Sequence, residues 1–137
     1  MQRRIMSFSS GLTALLFAAT AQAQQLTTIG TSSAGTPVML ESKSVKRADG
    51  IVTATLRVEL KPTIKTATGD MVSMRSIMMF DCAKKTSATK ERWFYYDAKY
   101  TKEARHDKPG IPGFGPPIKG TPADIGIAHF CAPGAKP

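Results

Sequence analysis

Val52, Ala54, Leu56, Val58 and Leu60 alternate without a break with Thr53, Thr55, Arg57, Glu59 and Lys61. A period of two places the first set on one face of an extended strand and the second on the other. This stretch excludes an amphipathic helix here and demands a sheet with one buried and one wet face. Something must then cover the buried face. Before it, Ala48-Asp49-Gly50 supplies an Asp-Gly hairpin signal, so the strand preceding the turn is read as Val38 to Lys46. After it, Pro62 ends the strand or puts it at an edge, and Thr68-Gly69-Asp70 marks a turn.

The parity continues past that turn. Val72, Met74, Ser76, Met78, Phe80 and Cys82 share one side of a second strand, which sends Cys82 toward the core. Met74 and Met78 sit at core positions, so packing explains them better than copper binding or oxidation sensing. The polar stretch AKKTSATKER follows, and Trp93, Phe94, Tyr95 and Tyr96 open a further strand whose alternate members fill the core. Residues 107–122 hold five prolines and four glycines, which predicts a long loop without ladder hydrogen bonds. Last, Thr121 as cap, Pro122 in the first turn and Asp124 three residues on predict a short helix, with Gly126 counting against it.

Arg3, Arg4, the apolar run from Leu12 to Ala19 and Ala21-Gln22-Ala23 have the layout of a signal peptide over residues 1–23. The apolar run is about half of what a bilayer span needs, and no other segment is apolar enough to cross. No cysteine stands at the cleavage point, so the expectation is an exported, soluble chain that is not a lipoprotein. Residues 24–36, rich in Thr, Ser and Gly, are expected to be a flexible leader, with residues 37–137 as one domain. Removing Arg3 and Arg4 lowers the formal net charge from +9 to +7, which favours anionic partners. Export argues against nucleic acid and for anionic polysaccharide, lipid headgroups or acidic protein patches.

Cys82 and Cys131 are the only cysteines. In an oxidising compartment a disulfide is the default, because a zinc site wants four ligands and a nucleophile wants a positioned base. The pairing would tie the terminal helix to the sheet. His106 and His129 lie in no catalytic or metal motif, and no nucleophile elbow or phosphate loop occurs, so no cofactor and no enzymatic activity are expected. Lys84, Lys85, Lys90 and Arg92 cluster beside aromatics and are weighed as a binding face against a merely solvated one.

The Asp-Gly hairpin and alternating strand, the strand end at Asp81-Cys82, the basic stretch into Tyr95-Tyr96-Asp97, the proline-rich passage and the terminal cysteine together resemble the bacterial surface-adhesin protein E family. The resemblance covers roughly residues 37–132. It implies an α+β fold: a curved antiparallel sheet of about six strands, with a C-terminal helix fastened to its concave face by the disulfide. It also implies binding to host extracellular-matrix and plasma proteins, with the contact region mapping onto Arg75 to Arg92. Arg75, Lys84, Lys85, Lys90 and Arg92 are therefore the candidate ligand-binding residues. A soluble periplasmic inhibitor or envelope protein is the rival reading, and the oligomeric state stays open, a dimer included.

Overall fold

A computed structural model describes residues 25–134, so the signal peptide expected at residues 1–23 lies outside the described residues. The alternating stretch forms β4 (Ile51–Thr66), paired antiparallel with β5 (Gly69–Asp81) from Ile51↔Asp81 to Thr66↔Gly69. Around this hairpin stand β1 (Leu26–Thr31), β2 (Pro37–Glu41), β3 (Lys46–Ala48), β6 (Thr86–Tyr95) and β7 (Glu103–Asp107). The sheet runs β1-β2-β4-β5-β6-β7, with β3 pairing a second stretch of β4. All pairings are antiparallel, and one helix, α1 (Pro122–Phe130), closes the fold.

The apolar parity becomes the core. Val38 and Leu40 of β2, Val52, Ala54, Leu56 and Val58 of β4, and Met78 and Phe80 of β5 are buried together beneath Phe130 of α1. The Phe80 and Phe130 rings lie 5.3 Å apart, and the Cys82–Cys131 disulfide fastens helix to sheet with a Cα–Cα distance of 5.1 Å. Asp49 and Gly50 take positive φ angles of 53° and 76°, the backbone that a two-residue hairpin turn between Ala48 and Ile51 requires. Thr121 caps α1 by accepting from the Asp124 amide, and the Asp124 carboxylate accepts in return from the Gly120 amide at 2.9 Å.

The structure corrects five expectations. β6 already begins at Thr86, within the polar stretch, so Trp93, Phe94 and Tyr95 close that strand rather than open one. Residues 26–31 of the expected flexible leader are the edge strand β1, paired with β2. Three β-branched threonines favour extension, and Ile29 packs against the core, but a single inward apolar residue is too little for periodicity to reveal. The strand expected from Val38 to Lys46 is interrupted by a turn of 3-10 helix at Ser42–Ser44. There Ser44 Oγ donates to the Glu41 carbonyl at 2.6 Å and accepts from the Thr55 amide at 2.8 Å, replacing ladder bonds with a side chain. Pro62 does not end β4: pairing lapses between Glu59↔Ser73 and Ile64↔Met71, and Pro62, with no N–H to donate, sits in that gap. The proline-rich passage is shorter than expected, because Asp107 belongs to β7, and it is pinned to the fold. Ser87 and Gly115 exchange both backbone hydrogen bonds, and Gly120 accepts from the Ser33 amide at 2.9 Å. The loop thereby carries the chain from the β7 edge to the β1 edge, where α1 begins.

Gly126 is a packing requirement rather than a weakness in the helix. A Cβ at this position would stand 2.3 Å from Phe80 Cζ and 2.5 Å from Cε1, and Phe80 is fully buried. Helix propensity alone favours Gly126→Ala by about 1 kcal/mol, whereas forcing a methyl into a packed core costs about 1–3 kcal/mol. We expect Gly126→Ala to lower the urea midpoint. A raised midpoint would mean that α1 can move off the sheet without loss.

Candidate binding surfaces

Three places gather charge, aromatic surface or concavity. The first is the turn between β5 and β6. Asp81 Oδ1 accepts from the amides of Ala83 at 3.1 Å and Lys84 at 3.2 Å, and Lys85 takes a positive φ of 51° to bring the chain round. Lys84 and Lys85 are exposed at the tip of this turn, two and three residues beyond the disulfide at Cys82.

The structure disperses the other basic residues that the sequence groups with them. Lys90 is the extra residue of a bulge, since Ile77 pairs with Glu91 and Met78 with Thr89, and it is exposed. Arg92 shares the face of Phe94: its guanidinium carbon lies 5.1 Å from that ring, and Nη2 donates to Asp107 at 3.1 Å. Asp107 also accepts from Arg105 at 2.8 Å, and the hydrogen bonds from Arg105 and Arg92 outweigh desolvation and hold its carboxyl below the usual carboxylate value. Arg75 points to the opposite face of the sheet. The five candidates therefore form no single face: one extra residue in a bulge and one change of parity are enough to scatter them.

That opposite face is the second place, and it is drier than simple alternation predicts. Glu41 is only 3% exposed and is held from two sides. Arg57 Nε donates to Oε2 at 2.9 Å, and Arg75 donates to Oε2 at 2.7 Å and to Oε1 at 3.0 Å. Burial pushes the Glu41 carboxyl up, but the hydrogen bonds and charges of Arg75 and Arg57 together bring it below its ordinary value. Aromatic rings flank the pair: Arg57 lies 4.9 Å from the Tyr100 ring, and Arg75 lies 5.0 Å from Trp93. Trp93 in turn stacks on His106 at 4.9 Å, whose Nε2 is 2.7 Å from Glu91 Oε1. Tyr100 is folded back by Asp97, which accepts from the Thr101 and Lys102 amides; burial pushes its hydroxyl up to about 12. His106 is thus a strand residue in a stack rather than a loop histidine, while His129 is exposed beside Phe130. The row Tyr100, Arg57, Glu41, Arg75, Trp93, His106 spans five strands and the β6–β7 loop. No local motif announces it.

The third place is a cleft of about 440 Å³ between the β3–β4 hairpin and the end of α1. Ile51, Val52, Phe130 and Ala132 line it, the disulfide forms part of its wall, and the exposed Arg47 and Asp49 border it. Arg47 lies over the Phe130 ring at 5.8 Å. Among the described residues no three His, Cys, Asp or Glu side chains converge to hold a metal ion. Nor is any helix of those residues long and apolar enough to cross a membrane.

Comparison with known proteins agrees with these boundaries. A family model described as surface-adhesin protein E matches residues 26–132, from the first residue of β1 to the residue after the disulfide. Crystal form II of Haemophilus influenzae protein E has the same fold at a TM-score of 0.51 and 16% identity, covering 69% of this chain and 80% of that one. The selenomethionine form of Haemophilus influenzae protein E aligns at a TM-score of 0.49 and 14% identity, over 69% of this chain and 78% of that one. No curated protein matches.

Proposed function

The chain belongs to the surface-adhesin protein E family, and from that membership we propose that it is an exported, non-enzymatic binding protein for host extracellular-matrix proteins or anionic polysaccharide. The proposed contact is the basic turn at Lys84 and Lys85, with the bulged Lys90 as an outlying cation. The observation that carries this reading is the mounting of the turn: two adjacent exposed lysines on a backbone held by Asp81 and by the Cys82–Cys131 disulfide. A preordered cationic tip loses little conformational freedom on meeting an anionic surface. Arg75 and Arg92 stand outside the proposed contact because each is already committed to a carboxylate.

Solid-phase binding to heparin and to matrix proteins tests this. Replacing Lys84 and Lys85 together by Ala should weaken binding about tenfold at low salt and flatten its salt dependence, since exposed charges act mainly on encounter. Unchanged binding would remove the turn from the site. Fractionation addresses the rival reading of a soluble periplasmic inhibitor or envelope protein: a chain confined to the periplasm cannot meet a host surface.

A further inference from the structure

The proline-rich passage between β7 and α1 carries three of the five large apolar side chains exposed among the described residues: Ile111 at 91%, Ile118 at 76% and Phe114 at 42%. Single exposed apolar residues are ordinary, whereas a group of them in a loop fixed to the fold marks a place where a protein meets something else. We propose that residues 108–119 dock on the interface of an anionic lipid bilayer, seating Ile111, Phe114 and Ile118 among the headgroups with Lys108 and Lys119 against the lipid phosphates. The inference stands apart from the matrix-binding reading of Lys84 and Lys85, and its test does not depend on that reading.

The backbone of the passage suits such a surface. Pro109, Pro112, Pro116 and Pro117 have no N–H to donate, and the Gly115 amide already donates to the Ser87 carbonyl. An unpaired donor in the dehydrated part of a bilayer is costly, so a loop rich in proline enters with fewer groups to strip of water. The passage is also held in place. Ser87 and Gly115 exchange both backbone hydrogen bonds, and Gly120 accepts from the Ser33 amide at 2.9 Å, which limits the ordering that docking requires.

Charge selects the kind of bilayer. No acidic residue lies between Asp107 and Asp124, while Lys108 and Lys119 flank the apolar residues and are exposed. The bridge from Gly115 to Ser87 brings a second pair of cations alongside, because Lys84 and Lys85 precede Ser87 by three and two residues. The opposing carboxylates are engaged: Asp107 accepts from Arg92 and Arg105, Asp124 from the Gly120 amide, and Asp81 from the amides of Ala83 and Lys84. On these segments and their direct partners, Lys84, Lys85, Arg92, Arg105, Lys108 and Lys119 outnumber Asp81, Asp107 and Asp124 two to one. Apolar side chains combined with flanking cations favour an interface with anionic headgroups. A soluble polyanion would satisfy the lysines and leave the apolar side chains in water.

Ile111→Trp places a fluorescent reporter at the most exposed of the three positions, and the wild-type chain, with Trp93 alone, supplies the blank. Vesicles of phosphatidylcholine and phosphatidylglycerol in equal amounts should shift the emission of the oxidised Ile111→Trp chain to the blue, and lipids brominated in the acyl chain should quench it. Trp93 emission in wild type should not respond. Pure phosphatidylcholine vesicles should bind about tenfold more weakly, and adding Lys108→Ala and Lys119→Ala to the reporter chain should cost about tenfold on the anionic vesicles. Phe114→Ser with Ile118→Ser should also weaken binding about tenfold, with the far-ultraviolet spectrum checking the fold; Ile118→Ser alone, at an exposed position, should weaken it about twofold. An unshifted emission with anionic vesicles, an equal response to pure phosphatidylcholine, a blue shift with heparin matching that with vesicles, or no quenching by brominated lipid would overturn the inference.

Discussion

Glu41→Ala should cost about 3–5 kcal/mol of stability, the range for removing one partner from a buried ion pair. Glu41 faces two guanidiniums that are themselves only 18% and 25% exposed, so its loss leaves like charges side by side: Arg57 and Arg75 are directly opposite in the β4–β5 ladder. The carboxylate is what allows them to be there, since like charges facing each other across strands are destabilising. Partial exposure of the arginines places the expected loss toward the lower end. Glu41→Ala combined with Arg75→Ala should lose less than the sum of the single changes, because the second removes part of the repulsion left by the first.

The same carboxylate predicts a pH dependence of definite sign. Its folded-state pKa lies below its ordinary value of 4.5, so the unfolded chain takes up the proton more readily. The contribution is fully present above about pH 4.5 and is lost as pH falls through the folded-state value. Urea unfolding of wild type and Glu41→Gln at a series of pH values should show the two curves converging on the acid side of that value. Parallel curves would mean that Glu41 contributes nothing linked to its charge.

Sequence legibility followed the physics of repeated signals. Alternation from Val52 to Val58 and the matching parity of Met78 and Phe80 identify the core face, because each buried residue repeats the same statement every second position. Thr121, Pro122 and Asp124 locate α1 because capping is a local interaction. The cysteine pair follows from there being two of them in a chain whose first residues read as an export signal. What stayed hidden depends on partners distant in sequence. Glu41 looks like a polar residue on a wet face until Arg57 and Arg75 arrive from β4 and β5. Trp93 and His106 are brought together only by β6–β7 pairing, and one bulge makes Lys90 an extra residue without a partner in the β5–β6 ladder. Gly126 reads as a helix breaker until Phe80 is known to lie beneath it. The basic residues read as one cluster along the chain, whereas in three dimensions Lys84 and Lys85 stand at a turn, Lys90 in a bulge, and Arg75 and Arg92 on opposite faces beside carboxylates.

Replacing both Cys82 and Cys131 by Ser should lower stability by about 4 kcal/mol, the chain-entropy value for a loop of this size, since the two residues are 49 apart in sequence. The native contacts that dock α1 survive the change: the Phe80–Phe130 packing, the close fit at Gly126 and the Thr121 cap need no sulfur bridge. The far-ultraviolet spectrum of the folded state should therefore be unchanged. The urea m-value should rise, because the unlinked unfolded chain expands and exposes more surface. An unaltered midpoint would show that packing alone sets the helix position. Local consequences should be confined to one end of the molecule. Without the bridge, amide exchange at Ala83 to Lys85 should accelerate while that of Leu56 and Val58 follows global unfolding. If the turn loosens in this way, binding through Lys84 and Lys85 must now include the cost of ordering it, and the cleft loses part of its wall. A double variant that stays folded yet binds less would tie the staple to recognition as well as to stability; undiminished binding would confine the disulfide to holding the fold.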